Sequence, residues 1–360
     1  MTKCELSTLT SQYVHNGWGQ LLHQAAQVYG LKQHHDIFER AENKTTSPHL
    51  DISMMRQVNH QLIQDSKDPL FAIKASRWVS ALTFGSYSLT LWTAPNLHHL
   101  LKDACNFNLV LGSPTRIAYQ QKNSGDVELR FISNEALSRH YPERQAGLCL
   151  YVATFIQIIQ KTSINGISNL EVELANTPYS QQVQSQFAAE MECDVTLGAA
   201  FHTLRIKSEH LEQKLATSDS EIYPCSRALL RKQAAKIKTE DTPLQIYNVL
   251  DQFPTLADIS SERIAAEMLI SVRTLNRRLA EVGLNYRSVV ENYKLEKATQ
   301  LLSQPDSNIT EIAFQLGFSD LSAFSRAFKR WTGTSPSHFN LGYNLSAHEW
   351  PHQATLAYSA

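Results

Sequence analysis

Two short runs near the carboxyl end carry side chains suited to reading a nucleic-acid surface. The first places Arg273, Asn276 and Arg277 on one face of a predicted helix. The second places Leu321, Ser322, Ser325, Arg326 and Lys329 on one face of another. An arginine fork pairs with guanine and an asparagine amide with adenine, in a major groove wide enough to admit a helix. Lys329 is a point charge suited to phosphate, where contacts position a protein without choosing bases. Apolar Leu321 and small Ala323 weaken hydrogen-bond readout by the second run, which is expected to anchor phosphates more than select sequence.

These side chains need two rigid helices, and the pattern supplies them twice. In the first copy Leu275 and Leu279 stand at i, i+4 behind the polar face and are expected to pack toward Ile264, Ala265 and Met268. In the second, Phe318, Phe324, Phe328 and Trp331 form the inner stripe. Ile264-Ala265 recurs as Ile312-Ala313, Met268 as Leu316, Ile270 as Phe318 and Ser271 as Ser319, an offset of 48 residues (319 minus 271). Each copy has the form of a helix-turn-helix, with Ser271 and Ser319 as expected caps of the second helices. Asn308 followed by Glu311 has the spacing of a capping box, and Gly317 suits a tight turn.

Between the copies, Tyr286 to Ser303 carries Val289, Val290, Tyr293, Leu295, Ala298, Leu301 and Leu302 at helical spacing, and Pro305 ends it. Its eighteen residues span about 27 Å. That approaches one turn of B-DNA, about 34 Å, so both helices can be expected to enter successive major grooves on one side of a duplex. A single chain would then read a non-palindromic site.

The run from Gly317 to Pro336 (G-F-S-D-x-S-x-F-S-R-x-F-K-R-x-x-G-x-S-P), with SERIAAEMLISVRTLNRRLAEVG before it, resembles the DNA-binding domain of the AraC/XylS family of bacterial transcription regulators. The resemblance implies base contacts by Arg273, Asn276 and Arg277 in the first unit, and by Leu321, Ser322, Ser325 and Arg326 in the second. One position departs: Leu269 stands in the first turn where many members have Gly.

The whole chain of 360 residues suggests about two domains, with 42% apolar and 19% charged residues, the balance of a soluble globular protein. Formal net charge is −1, so basicity is local: Arg273, Arg277 and Arg278 on one helix, Arg326, Lys329 and Arg330 on the other. Five scattered cysteines, odd in number and without a C-x-x-C pair, argue for reduced thiols and a cytoplasmic setting. No signal-peptide pattern opens the chain, and the longest apolar stretch, Leu148 to Ile159, is too short to cross a bilayer, so no membrane partner is expected. Fourteen histidines include the adjacent pairs His34-His35 and His98-His99, yet no metal-ligand spacing accompanies them. Neither a nucleophile elbow nor a phosphate cradle is present, so no metal, no cofactor and no enzymatic activity are expected.

Trp18 to about Ser208 reads as one α+β domain. Helices are expected from Leu21 to Tyr29, Ile52 to Gln64, Pro69 to Ser76, Leu97 to Asn106 and Arg144 to Thr162. Strands are expected at Thr115 to Tyr119, Asp126 to Phe131, Leu170 to Leu174 and Phe201 to Ile206. Leu82 to Leu97 is read only as bounded by the turn residues Gly85 and Pro95. The order of these elements, with Asp68-Pro69-Leu70-Phe71, Phe84-Gly85 and Glu171-Val172-Glu173-Leu174, is similar to the arabinose-binding-type N-terminal domain of one AraC/XylS branch. That likeness implies a sensory or dimerising role. Lys74 and Arg77 beside Trp78, Phe84, Tyr87 and Trp92 form the candidate ligand-binding cluster, with cations suited to a carboxylate; the alternative is that the rings are core and the cations solvated.

The expected organisation is an α+β N-terminal regulatory domain (1–210) that senses a ligand or dimerises, a linker (211–242), an all-α DNA-binding domain with two helix-turn-helix units joined by a linker helix (243–341), and a loose tail (342–360). Within the linker, Ala228 to Lys238 reads as a basic helix whose cations are more readily solvated than bound to phosphate. Three classes follow. One is a ligand-gated, sequence-specific transcription regulator with double-stranded DNA, a small-molecule effector, a homodimer partner and, for an activator, RNA polymerase. The second is a ligand-independent regulator whose N-terminal half only oligomerises. The third is an enzyme or repair fusion, disfavoured because no cysteine cluster is present.

Overall fold

A computed structural model describes residues 13–31, 49–112, 115–133, 142–167, 170–175, 181–199, 202–281, 284–302 and 307–339. Pro305, the His34-His35 pair and the tail from 342 lie outside the described residues. The chain divides into two compact units, Met1–Gln245 with Arg273–Asn285, and Ile246–Val272 with Tyr286–Ala360.

In the first unit, α1 (Gly17–Val28), α2 (Ile52–Ser66), α3 (Phe71–Ala75), α4 (Ser86–Thr93) and α5 (Leu97–Asn106) precede the sheet, beside a small ladder of β1 (Tyr13–His15) and β2 (His49–Asp51). Five strands follow: β3 (Thr115–Gln121), β4 (Val127–Ser133), β5 (Glu171–Ala175), β6 (Asp194–Ala199) and β7 (His202–Ile206), in the order β3-β4-β7-β5-β6. Among the described strands of this sheet only the β5–β6 pair is parallel, and α7 (Gln181–Met191) makes the crossover that a parallel pair requires. The long helix α6 (Pro142–Thr162) lies between β4 and β5 in the chain and is buried along most of its length.

Period-two alternation places Val127, Leu129, Phe131, Val172, Leu174, Leu204 and Ile206 in the core. The opposite face carries a charge network. Glu128 is only 2% exposed and receives Arg130, Arg205 (3.2 Å) and Lys122 (3.3 Å), while Arg205 also reaches Glu173 at 2.7 Å. Burial by itself raises a carboxyl pKa, but the three cations together hold Glu128 below its ordinary value.

Ser86–Thr93 is a helix with no apolar periodicity to announce it. Its Thr90 and Thr93 hydroxyls donate back to the Ser86 and Leu89 carbonyls, and tertiary packing decides its form. After α8 (Ser208–Leu211) comes α9 (Ile222–Glu240), inside the segment expected as linker. Leu230, Ala234 and Ile237 bury into the same core, and Tyr223 and Arg227 both hold Asp103, at 2.7 Å each. Arg231, Lys232, Lys236 and Lys238 stay exposed.

The second unit begins within α10 (Thr242–Leu250) and holds α11 (Ser261–Glu267), α13 (Tyr286–Leu302), α14 (Ile309–Gln315) and α15 (Leu321–Thr332). Helix α12 (Val272–Ala280) begins at the boundary between the units. On α13, Val289, Tyr293, Leu295, Ala298 and Leu302 are buried, and Val290 and Leu301 are half-buried. Tyr293 donates to Asp251 at 2.7 Å and Tyr247 to Glu296 at 3.2 Å, which ties the end of α10 to α13.

Candidate nucleic-acid interface

The two copies end their first helices in the same way. The Leu269 amide donates to the Ala266 carbonyl and the Ile270 amide to Ala265; 48 residues on, Gly317 donates to Phe314 and Phe318 to Ala313. This pair of bonds, one residue in left-handed backbone and the next reaching back over the turn, is the Schellman ending of a helix. Leu269 has φ 55° and Gly317 φ 72°.

The departure at Leu269 therefore leaves the turn geometry intact. A Cβ on Gly317 would sit 2.3 Å from the Leu256 carbonyl oxygen, whereas the Leu269 side chain is 93% exposed and meets water. Gly is required at the second turn by sterics as well as by φ; at the first, only the backbone strain of a non-glycine residue is borne.

Capping differs from the serine expectation in the second copy. Helix α15 starts one residue later than Ser319 allows, so Asp320 is the cap: its carboxylate accepts the Ala323 amide at 2.7 Å, and Ser319 donates to Asp320 at 3.1 Å. Those bonds, from the Ala323 amide first, hold the Asp320 carboxyl below its usual value. Ser260 caps α11 by accepting from Arg263 at 3.3 Å. Asn308 caps α14, accepting from Thr310 and Glu311, and its amide donates to Glu311 at 3.1 Å, a side-chain variant of the expected capping box.

On α12, Leu275 and Leu279 are fully buried while Arg273, Asn276 and Arg277 are exposed, Arg277 tethered to Glu281 at 2.8 Å. On α15, Phe324, Phe328 and Trp331 are buried, with ring centroids of Phe318 and Phe324 5.3 Å apart and those of Phe324 and Phe328 5.7 Å apart. Leu321, Ser322, Arg326 and Lys329 are exposed and Ser325 half-buried. Each helix thus spends one stripe on packing and leaves cations and hydrogen-bonding groups in water. Gly333, at φ 79°, closes α15.

The candidate ligand cluster is distributed differently. Lys74 pairs with Asp68 at 2.6 Å, which also accepts from Tyr29, and Arg77 pairs with Glu190. Phe84 packs on Trp18, 4.6 Å between centroids, and the buried Tyr87 hydroxyl donates to Ala104 at 2.9 Å. Trp78 and Trp92 are half-buried against that core. Among the described residues no three His, Cys, Asp or Glu side chains gather as a metal site requires, and no helix is long and apolar enough to cross a membrane.

A helix-turn-helix order that occurs twice along one chain is the pattern of a regulator-type DNA-binding module. Residues 264–341 match a helix-turn-helix domain, and residues 42–215 match the arabinose-binding domain found at the N-terminus of AraC transcription regulators. The chain belongs to the AraC/XylS family, in the branch that carries this N-terminal domain. An uncharacterised HTH-type transcriptional regulator of Mycobacterium tuberculosis is 26% identical over 178 residues, 45% of this chain and 50% of that one, so the chain spans about half that relative's length. The ornithine utilization regulator of Pseudomonas aeruginosa is 25% identical over 282 residues, 76% of this chain and 78% of that one. The crystal structure of the transcriptional regulator CdpR from the same organism covers 90% of this chain and 98% of its own, at 20% identity and a TM-score of 0.45.

Proposed function

We propose that this protein is a sequence-specific, double-stranded-DNA-binding transcription regulator whose N-terminal domain responds to a small molecule. The observation that carries the DNA-reading part is the division of α12 and α15 into a buried apolar stripe and an exposed face bearing Arg273, Asn276 and Arg277, or Ser322, Arg326 and Lys329. Arg277 and Asn276 choose bases; Lys329 and the α15 face hold phosphates, with Ser325, Arg326 and Leu321 adding shape. The N-terminal domain acts as the effector and dimerisation domain, and an activating form engages RNA polymerase. An ornithine utilization regulator among its relatives makes ornithine the first effector to test.

Selection of bound duplexes from a random pool, by the purified full chain, tests this reading. A recurring two-part site with parts about one helical turn apart supports it. Retention of all sequences alike would leave only salt-dependent, non-specific association.

A second reading has an observation in its favour. Lys74 and Arg77 are neutralised by Asp68 and Glu190, and Phe84 and Tyr87 are used in packing. That supports an N-terminal half that oligomerises without a ligand at this cluster. Repeating the selection with effector mixtures separates the two, since coupling of about 1–3 kcal/mol between ligand and DNA is typical of allosteric control.

A further inference from the structure

Helices α13 and α15 of the second unit flank a groove of about 490 Å³, within the size range of small-molecule sites. Its apolar wall is made by Val290, Phe318, Ala327 and Trp331. Four cations reach it, Arg287 and Lys294 from α13 and Arg326 and Arg330 from α15, against a single carboxylate, Glu291. Glu291 is shared by Arg287 at 3.3 Å and Arg330 at 3.5 Å, and Asp320 attracts Arg326, so among the described residues the groove keeps a net positive charge. Lys294 stands over the Phe318 ring, 4.9 Å from its centroid. Burial pushes the Lys294 ammonium pKa down and Glu291 offsets only part of that, as for a cation short of an anion. Tyr286 also lines the groove, and its buried hydroxyl has no hydrogen-bond partner among the described residues.

We propose that this groove binds an amphipathic organic anion, one carboxylate or sulfonate joined to an aromatic or aliphatic body. The charged end lies between Lys294 and Arg330, and the apolar body lies on Phe318 and Trp331. Arg326 belongs both to the groove and to the exposed face assigned to DNA, so an occupant that engages it withdraws it from the duplex. The second helix-turn-helix then carries its own ligand response, separate from the N-terminal domain. This last step rests on the DNA-reading function proposed above; the binding itself does not.

The test uses the full chain and 1-anilinonaphthalene-8-sulfonate, followed by its fluorescence gain and by energy transfer from tryptophan. Lys294→Gln and Arg330→Gln each weaken binding by about tenfold, the worth of one charged hydrogen bond. Glu291→Gln tightens it by about threefold, as removal of a partly exposed like charge should. Near-UV circular dichroism of each variant is required to match the parent, because a partly unfolded chain also takes up this dye. Duplex recovered in the random-pool selection displaces the probe. If all three variants titrate as the parent does, the site is wrong. If they change only DNA affinity and its salt dependence, the groove is a phosphate contact and the proposal is overturned. Probe binding that follows the variants but is not displaced by duplex keeps the site and removes Arg326 from the DNA face.

Discussion

Leu269 and Gly317 occupy equivalent turns 48 residues apart and share left-handed backbone, φ 55° and 72°, with the same two amide–carbonyl bonds closing each turn. What separates them is their surroundings: Leu269 points into solvent, while Gly317 lies against the Leu256 carbonyl. Gly317→Ala is therefore expected to cost about 2–4 kcal/mol, backbone strain and overpacking together. Leu269→Gly removes strain of about 1–2 kcal/mol while adding unfolded-state entropy worth about half of that, so it stabilises slightly. Denaturant unfolding of both variants checks the pair; loss of stability in Leu269→Gly would contradict the strained turn.

Asp320, and not Ser319, starts the second reading helix. Asp320→Ala lowers the thermal midpoint, and Ser319→Ala does so by much less. Asp320→Asn keeps most of the cap, because the amide oxygen still accepts. The folded carboxyl is held below its unfolded value, so its contribution is present above the ordinary carboxylate pKa, about 3.9. It is lost as pH falls through the lowered folded value. A melt series from pH 6 to pH 2 should show the parent converging on Asp320→Ala at the acid end.

The buried carboxylate of Glu128 holds one face of the sheet through Arg130, Lys122 and Arg205. Removing its charge takes the carboxylate partner from the buried Arg130, and Glu128→Gln should cost about 3–5 kcal/mol. Because the folded pKa is lowered, this contribution too is complete above the unfolded glutamate value of about 4.3 and disappears with acid. Near-UV circular dichroism of parent and variant at neutral and low pH measures it; equal stability at neutral pH would mean the cations find other partners.

Much of this architecture is legible in the sequence because period and spacing report burial directly. The Phe324, Phe328 and Trp331 stripe, with Phe318 half-buried before it, the Leu275–Leu279 pair and the strands around Leu129 and Leu204 all follow from alternation or helical spacing. Helix Ser86–Thr93 does not, since its serines and threonines favour no helix and only packing holds it. The Asp320 cap was obscured by its neighbour: two adjacent residues can both cap, and one residue of helix phase decides between them. Lys74 and Arg77 look free in sequence because Asp68 and Glu190 meet them through the fold. The groove beside Lys294 is likewise invisible along the chain, being made by two helices about 30 residues apart.

Division of labour between the two reading helices is tested most directly by random-pool selection repeated with Arg277→Ala and with Lys329→Ala, across a range of salt. The account predicts that Arg277→Ala loses about 1–3 kcal/mol of preference at one base position while the remaining positions persist. Lys329→Ala keeps the selected sequence and flattens the salt slope by about one. Loss of base preference on removing Lys329, or an unchanged selected site on removing Arg277, would contradict it.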